Sequence, residues 1–227
     1  MNQNEPILAA DRLQKSFGRG SARVHVLRGL DLAVRPGEFL AVMGPSGCGK
    51  STLLHVLGLM AKADGGDLRI AGHDVTDLDE PARADIRRCR LGFVFQRFNL
   101  LGVLSGYDNI MLSLRIRGLS DRSGVEGLLE TMGVAEVARR KPAAMSIGEQ
   151  QRLAVARALA GRPQILLADE PTGSLDSENR EALLEVLRQA NQQRGQTIVM
   201  ITHSPGVAAI AERIVYMKDG RILDQNS

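Results

Sequence analysis

One segment near residue 45 constrains the fold of this 227-residue chain more than any other feature. The apolar run Phe39–Met43 leads directly into Gly44-Pro45-Ser46-Gly47-Cys48-Gly49-Lys50-Ser51, and a helical pattern follows over residues 49–59. A short, fully apolar run is typical of a strand that is covered on both faces, as in a parallel sheet. The segment therefore predicts a buried strand, a glycine-rich turn and a helix, in that order.

Further strand and helix patterns alternate along the chain, which is typical of an α/β protein with a mainly parallel sheet. Other buried strands are predicted at residues 91–95, 165–168 and 197–201. Segments around residues 7–13, 24–34 and 68–71 alternate more strongly and contain glycine-rich breaks, which indicates an antiparallel edge sheet. Helices are predicted at residues 146–160 and 177–193.

The strand patterns stop between residues 97 and 142, where two or three helices are predicted at about 107–117, 125–132 and 134–140. We predict a helical subdomain at about 97–161, which includes this region and the following helix. It lies within a single domain that spans 1–227. Near the end of the chain, Asp219-Gly220 predicts a hairpin turn between two short strands.

The composition excludes several classes of protein. With 44% hydrophobic and 24% charged residues the chain is neither disordered nor a coiled coil. A net charge of only +3 and the absence of Trp argue against a nucleic-acid surface, so we expect no nucleic-acid partner. No window approaches the roughly 18 apolar residues of a spanning helix, and the start lacks a leader pattern. Cys48 and Cys89 are too few for a disulfide framework, which fits a reducing compartment.

The glycine-rich turn is suited to binding phosphate groups. Glycines let backbone N–H groups surround phosphate oxygens without Cβ clashes, and the following helix N-terminus adds partial positive charge. Lys50 is placed to reach the β- and γ-phosphates of a nucleotide, and the Ser51 hydroxyl to ligate Mg²⁺. The predicted nucleotide-binding residues of this segment are Gly44, Pro45, Ser46, Gly47, Cys48, Gly49, Lys50, Ser51 and Thr52.

Two carboxylates follow the predicted strand 165–168. Asp169 and Glu170 emerge at the carboxyl end of this strand, where sheets of this type bind ligands. Asp169 is placed to hold Mg²⁺, and Glu170 to act as the general base toward an attacking water. Their alternative interpretation is a solvated strand end.

Six ordered motifs resemble the nucleotide-binding domain of ATP-binding-cassette (ABC) proteins. Besides the two above, they are Gln96 after Phe95, Met145-Ser146-Ile147-Gly148-Glu149-Gln150-Gln151-Arg152, Ser174-Leu175-Asp176 and Thr202-His203. The resemblance runs from about Leu8 to Asp224, and residues 91–101 and 167–173 are most similar to the macrolide-export, lipoprotein-release and cell-division branch. It implies a P-loop (RecA-like) α/β core with an antiparallel β edge subdomain and an inserted α-helical subdomain.

The resemblance assigns further roles within one copy of the chain. Phe17 would stack on adenine, although a lone Phe is as often a core residue. Gln96 would ligate Mg²⁺ together with Ser51 and Asp169, and would sense a transmembrane partner. His203 would contact the γ-phosphate and orient water with Glu170.

Other roles lie across a predicted homodimer, in which each ATP is held between the P-loop of one copy and the signature segment of the other. Ser146 and Gly148 belong to that signature, and Asp176 would cross the interface. An alternative role for Asp176 is to cap the helix that begins at Ser177.

The signature departs from the family pattern, because Ile147 stands where the first of two glycines is usual. Ser146 and Glu149 form an S-x-x-E capping box, which favours an intact helix start. We therefore expect Ile147 to adopt helical φ/ψ with its side chain turned away. If it does not, each nucleotide site loses a backbone donor.

The resemblance implies an ATPase with ATP and Mg²⁺ as ligands. Two copies would dimerise on ATP at the cytoplasmic face of the inner membrane and drive a separate integral membrane permease, of export or lipoprotein-extraction type. An alternative is a complex that transmits a mechanical signal to an extracytoplasmic enzyme. A soluble cassette protein acting on ribosomes or DNA is less consistent with a single cassette that has no long coiled coil.

Overall fold

The computed structural model describes residues 5–119 and 123–223, so both ends of the predicted domain, including Asp224, lie outside the described residues. The strands are β1 (Leu8–Phe17), β2 (Val24–Val34), β3 (Phe39–Met43), β4 (Gly65–Ile70), β5 (His73–Asp74), β6 (Leu91–Val94), β7 (Ile165–Asp169), β8 (Thr197–Ile201), β9 (Arg213–Lys218) and β10 (Arg221–Leu223). The α-helices are α1 (Lys50–Leu57), α2 (Glu80–Arg90), α3 (Gly106–Ile116), α4 (Val125–Thr131), α5 (Ile147–Ala160), α6 (Ser177–Arg194) and α7 (Pro205–Ala208). Short 3₁₀ turns lie at Gly20–Ala22 and Pro142–Ala144.

The central sheet has the strand order β10-β9-β3-β8-β7-β6. The pairings of β3 with β8 and β9, of β7 with β8 and of β6 with β7 are all parallel, and only β10 pairs antiparallel. The predicted mainly parallel sheet is confirmed. As parallel strands end at the same edge, the segments after β3, β6, β7 and β8 converge there.

Both faces of this sheet are covered, as its apolar strands predict. Along β3, Phe39 and Ala41 pack into a cluster with buried side chains of α3, α4, α5 and α6. The alternate residues Leu40 and Val42 pack into a second cluster with α1 and the antiparallel sheet. Alternation of side chains along the strand sends neighbours to opposite faces.

The antiparallel edge sheet is also confirmed, with the order β2-β1-β4-β5. The predicted C-terminal hairpin joins β9 to β10, with Asp219 at φ 48° and Gly220 at φ 79°. Positive φ at both central residues is the geometry of a type I′ turn, for which Asp-Gly is a preferred pair.

The helical region differs from prediction at one point, and two unpredicted helices, α2 and the short α7, form outside it. Helices α3 and α4 form as expected, whereas the predicted helix over 134–140 is wrong: this segment consists of turns. Its carbonyl groups instead accept hydrogen bonds from the start of α3: the Gly106 N–H donates to Arg140 O and the Tyr107 N–H donates to Ala138 O. Helix α2 was not predicted. Within residues 5–119 and 123–223, every helix is too short or too polar to cross a membrane.

Candidate functional site

A cleft of about 690 Å³ opens at the carboxyl edge of the parallel strands. It is lined by Phe17, Val26, Ser46, Gly47, Gly49, Lys50, Ser51, Thr52, Gln96, Glu170, Ile201 and His203. The fold therefore brings together the predicted P-loop, the predicted base and its histidine, Gln96 and the predicted adenine platform. Sequence reasoning missed Val26 and Ile201, because an apolar strand residue gives no sign of facing a ligand.

The glycine-rich turn adopts backbone conformations that require glycine. Gly44 has φ 154°, and a Cβ there would lie 2.1 Å from the Met217 carbonyl oxygen. Gly49 has φ 106° and is the N-cap of α1, which therefore begins without a side-chain cap. The first N–H groups of α1 are consequently left for another acceptor, which suits a phosphate.

Lys50 places its charge on this turn. Its Nζ donates to the carbonyl oxygens of Gly44 and Pro45 at 2.8 and 2.9 Å, and the residue is only 8% exposed. Cys48 lies beside it, with 3.9 Å between Sγ and Nζ, and is buried, whereas Cys89 is exposed. Both cysteines are free.

Three oxygen-bearing side chains form the predicted magnesium group. The Ser51 hydroxyl donates to Asp169 Oδ1 at 3.3 Å, and Gln96 lines the same cleft. Burial raises the pKa of Asp169, an effect that the Ser51 hydrogen bond opposes. Hydroxyl, carboxylate and amide oxygens are the ligands that Mg²⁺ prefers, and it usually adds substrate phosphates to one or two protein carboxylates. Ser51, Asp169 and Gln96 therefore fit a metal that arrives with phosphate.

Glu170 and His203 meet directly. His203 Nδ1 lies 2.7 Å from Glu170 Oε1, and because a carboxylate can only accept, Nδ1 is the donor. Glu170 has φ 45°, a left-handed conformation that is uncommon for a residue with a side chain. Its N–H donates to Ile201 O at 3.0 Å and its carbonyl accepts from the Gly173 N–H at 3.0 Å. These bonds hold the carboxylate toward the cleft.

Phe17 lines the cleft and is 50% exposed, so it is not a core residue. Lys15 Nζ lies 5.5 Å from the centroid of the Phe17 ring and is held by Asp64 at 2.8 Å. A cation at this distance is attracted to the face of the ring. Neither Lys15 nor Asp64 was predicted, since 49 positions separate them in the chain.

Four predicted residues contact Lys50 or Ser51 without lining the cleft themselves: Gly44, Pro45, Cys48 and Asp169. Ser146, Gly148 and Asp176 do not line it either. Ser146 caps α5: its hydroxyl accepts from the Glu149 N–H at 3.2 Å and its own N–H donates to Glu149 Oε2 at 2.7 Å. The predicted capping box is confirmed, and Ile147 follows as the first helical residue, 54% exposed. Asp176 caps α6 by accepting from the Asn179 N–H at 2.8 Å, as its alternative role required.

The comparisons of this chain with known proteins agree with one another. A family model described as ABC transporter matches residues 27–173. The macrolide export ATP-binding/permease protein MacB of Syntrophobacter fumaroxidans is 45% identical over 92% of this chain. This chain covers only 30% of that protein, so it spans about a third of the macrolide-export relatives that it matches. An uncharacterized ABC transporter ATP-binding protein of Methanocaldococcus jannaschii, MJ0796, is 41% identical over 92% of both chains.

Solved structures of MJ0796 have the same fold. A dimeric post-hydrolysis state bound to ADP and Pi superposes with a TM-score of 0.87 at 38% identity, over 95% of this chain and 96% of that one. A further dimeric structure of the same cassette gives a TM-score of 0.86 at 40% identity, with the same coverage.

Proposed function

The chain belongs to the ABC transporter family as an ATP-binding ATPase cassette, and on this premise we propose that two copies close on ATP to drive a separate integral membrane permease. The proposal is carried by one observation, the division of the predicted site into two groups. The P-loop, Gln96, Glu170 and His203 share a cleft that the signature residues do not line. A second copy can complete the site, and the related MJ0796 cassettes are described as dimers.

Within the cleft, the side chains divide the work of hydrolysis. Glu170 accepts a proton from the attacking water, a general-base role that contributes about 10²- to 10⁴-fold in rate. His203, hydrogen-bonded to Glu170 at 2.7 Å, orients that carboxylate and contacts the γ-phosphoryl group. Lys50 exchanges its contacts with the two loop carbonyls for the β- and γ-phosphates, where its charge offsets that of the nucleotide. Phe17 stacks on the adenine ring.

Ser51, Asp169 and Gln96 would hold Mg²⁺. When bound, the metal neutralises charge on the β- and γ-phosphates. The raised pKa of Asp169 indicates that its ionised carboxylate lacks full solvation, a cost that a divalent cation would offset.

The permease partner is inferred from relatives that carry ATP-binding and permease activities in one longer protein. The segment after Gln96 presents Leu101 and Val103 to solvent, 48% and 79% exposed, and this apolar surface fits a protein contact. We place the protein peripherally, at the cytoplasmic face of the inner membrane, with export or lipoprotein extraction as its task. The mechanical-signal alternative receives no support from the relatives described above.

Two measurements on Glu170→Gln protein test the proposal. With the general base removed and the P-loop intact, ATP should convert the monomer to a stable dimer in size-exclusion chromatography, and hydrolysis should fall by about a hundredfold or more. Lys50→Ala is the matched control, which should remain monomeric with ATP. A wild-type rate of hydrolysis in Glu170→Gln would refute the assigned role.

The partner is tested by capture from detergent-solubilised membranes with the Glu170→Gln protein and ATP. The expected product is an integral membrane protein with several spanning helices, identified by mass spectrometry. Adding Val103→Ser should abolish capture without affecting the ATP-dependent dimer. Capture that is insensitive to both ATP and Val103→Ser would contradict a nucleotide-driven permease contact.

A further inference from the structure

Asn179, the third residue of α6, connects the start of that helix to the start of α5. Its side-chain nitrogen donates to both carboxylate oxygens of Asp176, at 3.0 and 2.9 Å. Its side-chain oxygen accepts from Arg152 Nη1 at 2.7 Å. An amide between a carboxylate and a guanidinium has only one favourable orientation, because only its nitrogen donates and only its oxygen accepts. Asn179 is therefore fixed by charged partners on both sides.

Gly148 lies directly against this amide. A Cβ at Gly148 would stand 2.1 Å from Asn179 Oδ1 and 2.4 Å from its Cγ, and the three nearest atoms all belong to Asn179. Gly148 sits inside α5 and is not one of the positive-φ glycines, so its backbone conformation does not require glycine. Glycine is also a poorer helix former than alanine. Packing against Asn179 accounts for a glycine that backbone geometry does not explain.

The same residue orients Asp176. The backbone hydrogen bond from Asn179 is the largest cause of the lowered pKa of Asp176, followed by the bond from its side chain. Both oxygens of Asp176 are engaged by this one neighbour. The start of α5 and the residue predicted to cross the dimer interface are linked through a single side chain.

We propose that Asn179 is a positioning residue that holds the signature turn and Asp176 as one rigid unit, and that Gly148 lacks a side chain to seat the Asn179 amide. This inference rests on the proposed function, because the unit matters for hydrolysis only if both parts face the other copy's ATP. In that case the two parts reach the nucleotide together when the dimer closes. A mutation that displaces the amide disturbs both contacts at once.

The test is a double-mutant cycle of Gly148→Ala and Asn179→Gly, which removes the clashing side chain completely. In the wild-type background, Gly148→Ala should lower both kcat and the urea midpoint of unfolding, because the methyl group displaces a side chain held on both sides. In the Asn179→Gly background the same change should raise the midpoint, since alanine is the better helix former. This reversal of sign is the result specific to the proposal.

Steady-state kinetics of the same variants test whether Asn179 positions the signature turn and Asp176. Asn179→Gly alone should lower kcat about fivefold or more with little change in KM, because the cleft that holds the nucleotide remains intact. Adding Gly148→Ala to it should then change kcat less than about twofold. Glu178→Gly is the matched control: it puts glycine in the same exposed turn and should leave kcat near the wild-type value.

Two outcomes would overturn the inference. One is an equal loss of kcat from Gly148→Ala in both backgrounds, which would mean that glycine is needed there for contact with the nucleotide and not for packing against Asn179. The other is a fall in the urea midpoint in both backgrounds. Failure of the proposed function is recognised separately, because the Glu170→Gln protein would then stay monomeric with ATP in size-exclusion chromatography. The urea midpoints would still decide whether Gly148 seats the amide.

Discussion

Ile147→Gly restores the glycine that is usual at the first of the two glycine positions of the signature, and we expect it to change kcat by less than about tenfold. Ile147 is the first residue of α5, follows an intact capping box and is not among the residues with positive φ. A glycine is therefore not needed there for backbone geometry. Its neighbour Gly148 differs, since a Cβ at that position has no space.

The expected loss in the free energy of unfolding follows from the exposure of the Ile147 side chain and from helix propensity. The side chain is 54% exposed, so about half of the roughly 1.5–3 kcal/mol for full burial of an isoleucine is lost. Glycine is about 0.5 kcal/mol less favourable than isoleucine in a helix. The sum, about 1–2 kcal/mol, lowers the free energy of unfolding rather than the reaction barrier. A kcat change below about tenfold corresponds to less than about 1.4 kcal/mol in that barrier.

The assay is steady-state ATPase activity of both proteins at saturating Mg-ATP, alone and with the permease, together with urea unfolding. Ile116→Gly is a matched control, because Ile116 is a helical isoleucine that is 60% exposed and does not line the cleft. It should show a similar loss of stability with no change in kcat. A hundredfold gain in kcat for Ile147→Gly would show that Ile147 is a brake and would refute this reasoning.

Three further substitutions examine the cleft. Lys50→Ala should abolish nucleotide binding in calorimetry, because it removes the cation that the turn presents to phosphate. His203→Ala should lower kcat about tenfold or more with a smaller change in KM, since its contact with Glu170 serves the transition state; equal effects on both constants in steady-state assays would contradict this. Asp169→Asn should abolish hydrolysis yet raise the urea midpoint at pH 7, because burial raises the pKa of Asp169 and its ionised form opposes folding. That gain should shrink as pH falls through the raised pKa and vanish below the ordinary value of 3.8; a gain independent of pH would contradict it.

The strands of the central sheet were predictable because their burial on both faces leaves an uninterrupted apolar run. Helix α2 was not, since Ile86 is its only large apolar residue and the segment is dominated by charges. Its start was nevertheless marked, as Asp79 caps it by accepting from the Ala82 N–H at 3.0 Å and Pro81 follows. Pattern methods that depend on apolar periodicity overlook a helix of this kind.

The wrong helix over 134–140 has the opposite cause. Val134, Val137 and Ala138 are buried at helical spacing, so the periodicity was real. The segment is short, however, and hydrogen bonds to a distant part of the chain determine its conformation. N–H groups at the start of α3, which have no partner within that helix, donate to the segment's carbonyl oxygens. Sequence patterns carry no information about such hydrogen bonds.

Most residues of the cleft could be predicted from the sequence: those of the P-loop and Glu170 from their own chemistry, and Phe17, Gln96 and His203 from the family resemblance. Val26 and Ile201 could not. The contacts that support the site residues could not be predicted. Lys15 with Asp64 and Asn179 with Gly148 are contacts between elements distant in sequence, made by residue types that are common on any surface. Only the folded chain reveals which of them touch.

The cluster that contains Phe39 and Ala41 continues without interruption into the helical region, through Leu153 of α5 to Ile110 and Leu129. Buried apolar side chains of both parts thus belong to one cluster. Unfolding α3 and α4 alone would expose apolar surface on the central sheet as well as on the helices. We therefore expect the helical region and the parallel sheet to unfold as a single cooperative unit, so that amide protons deep in either exchange through the same opening event.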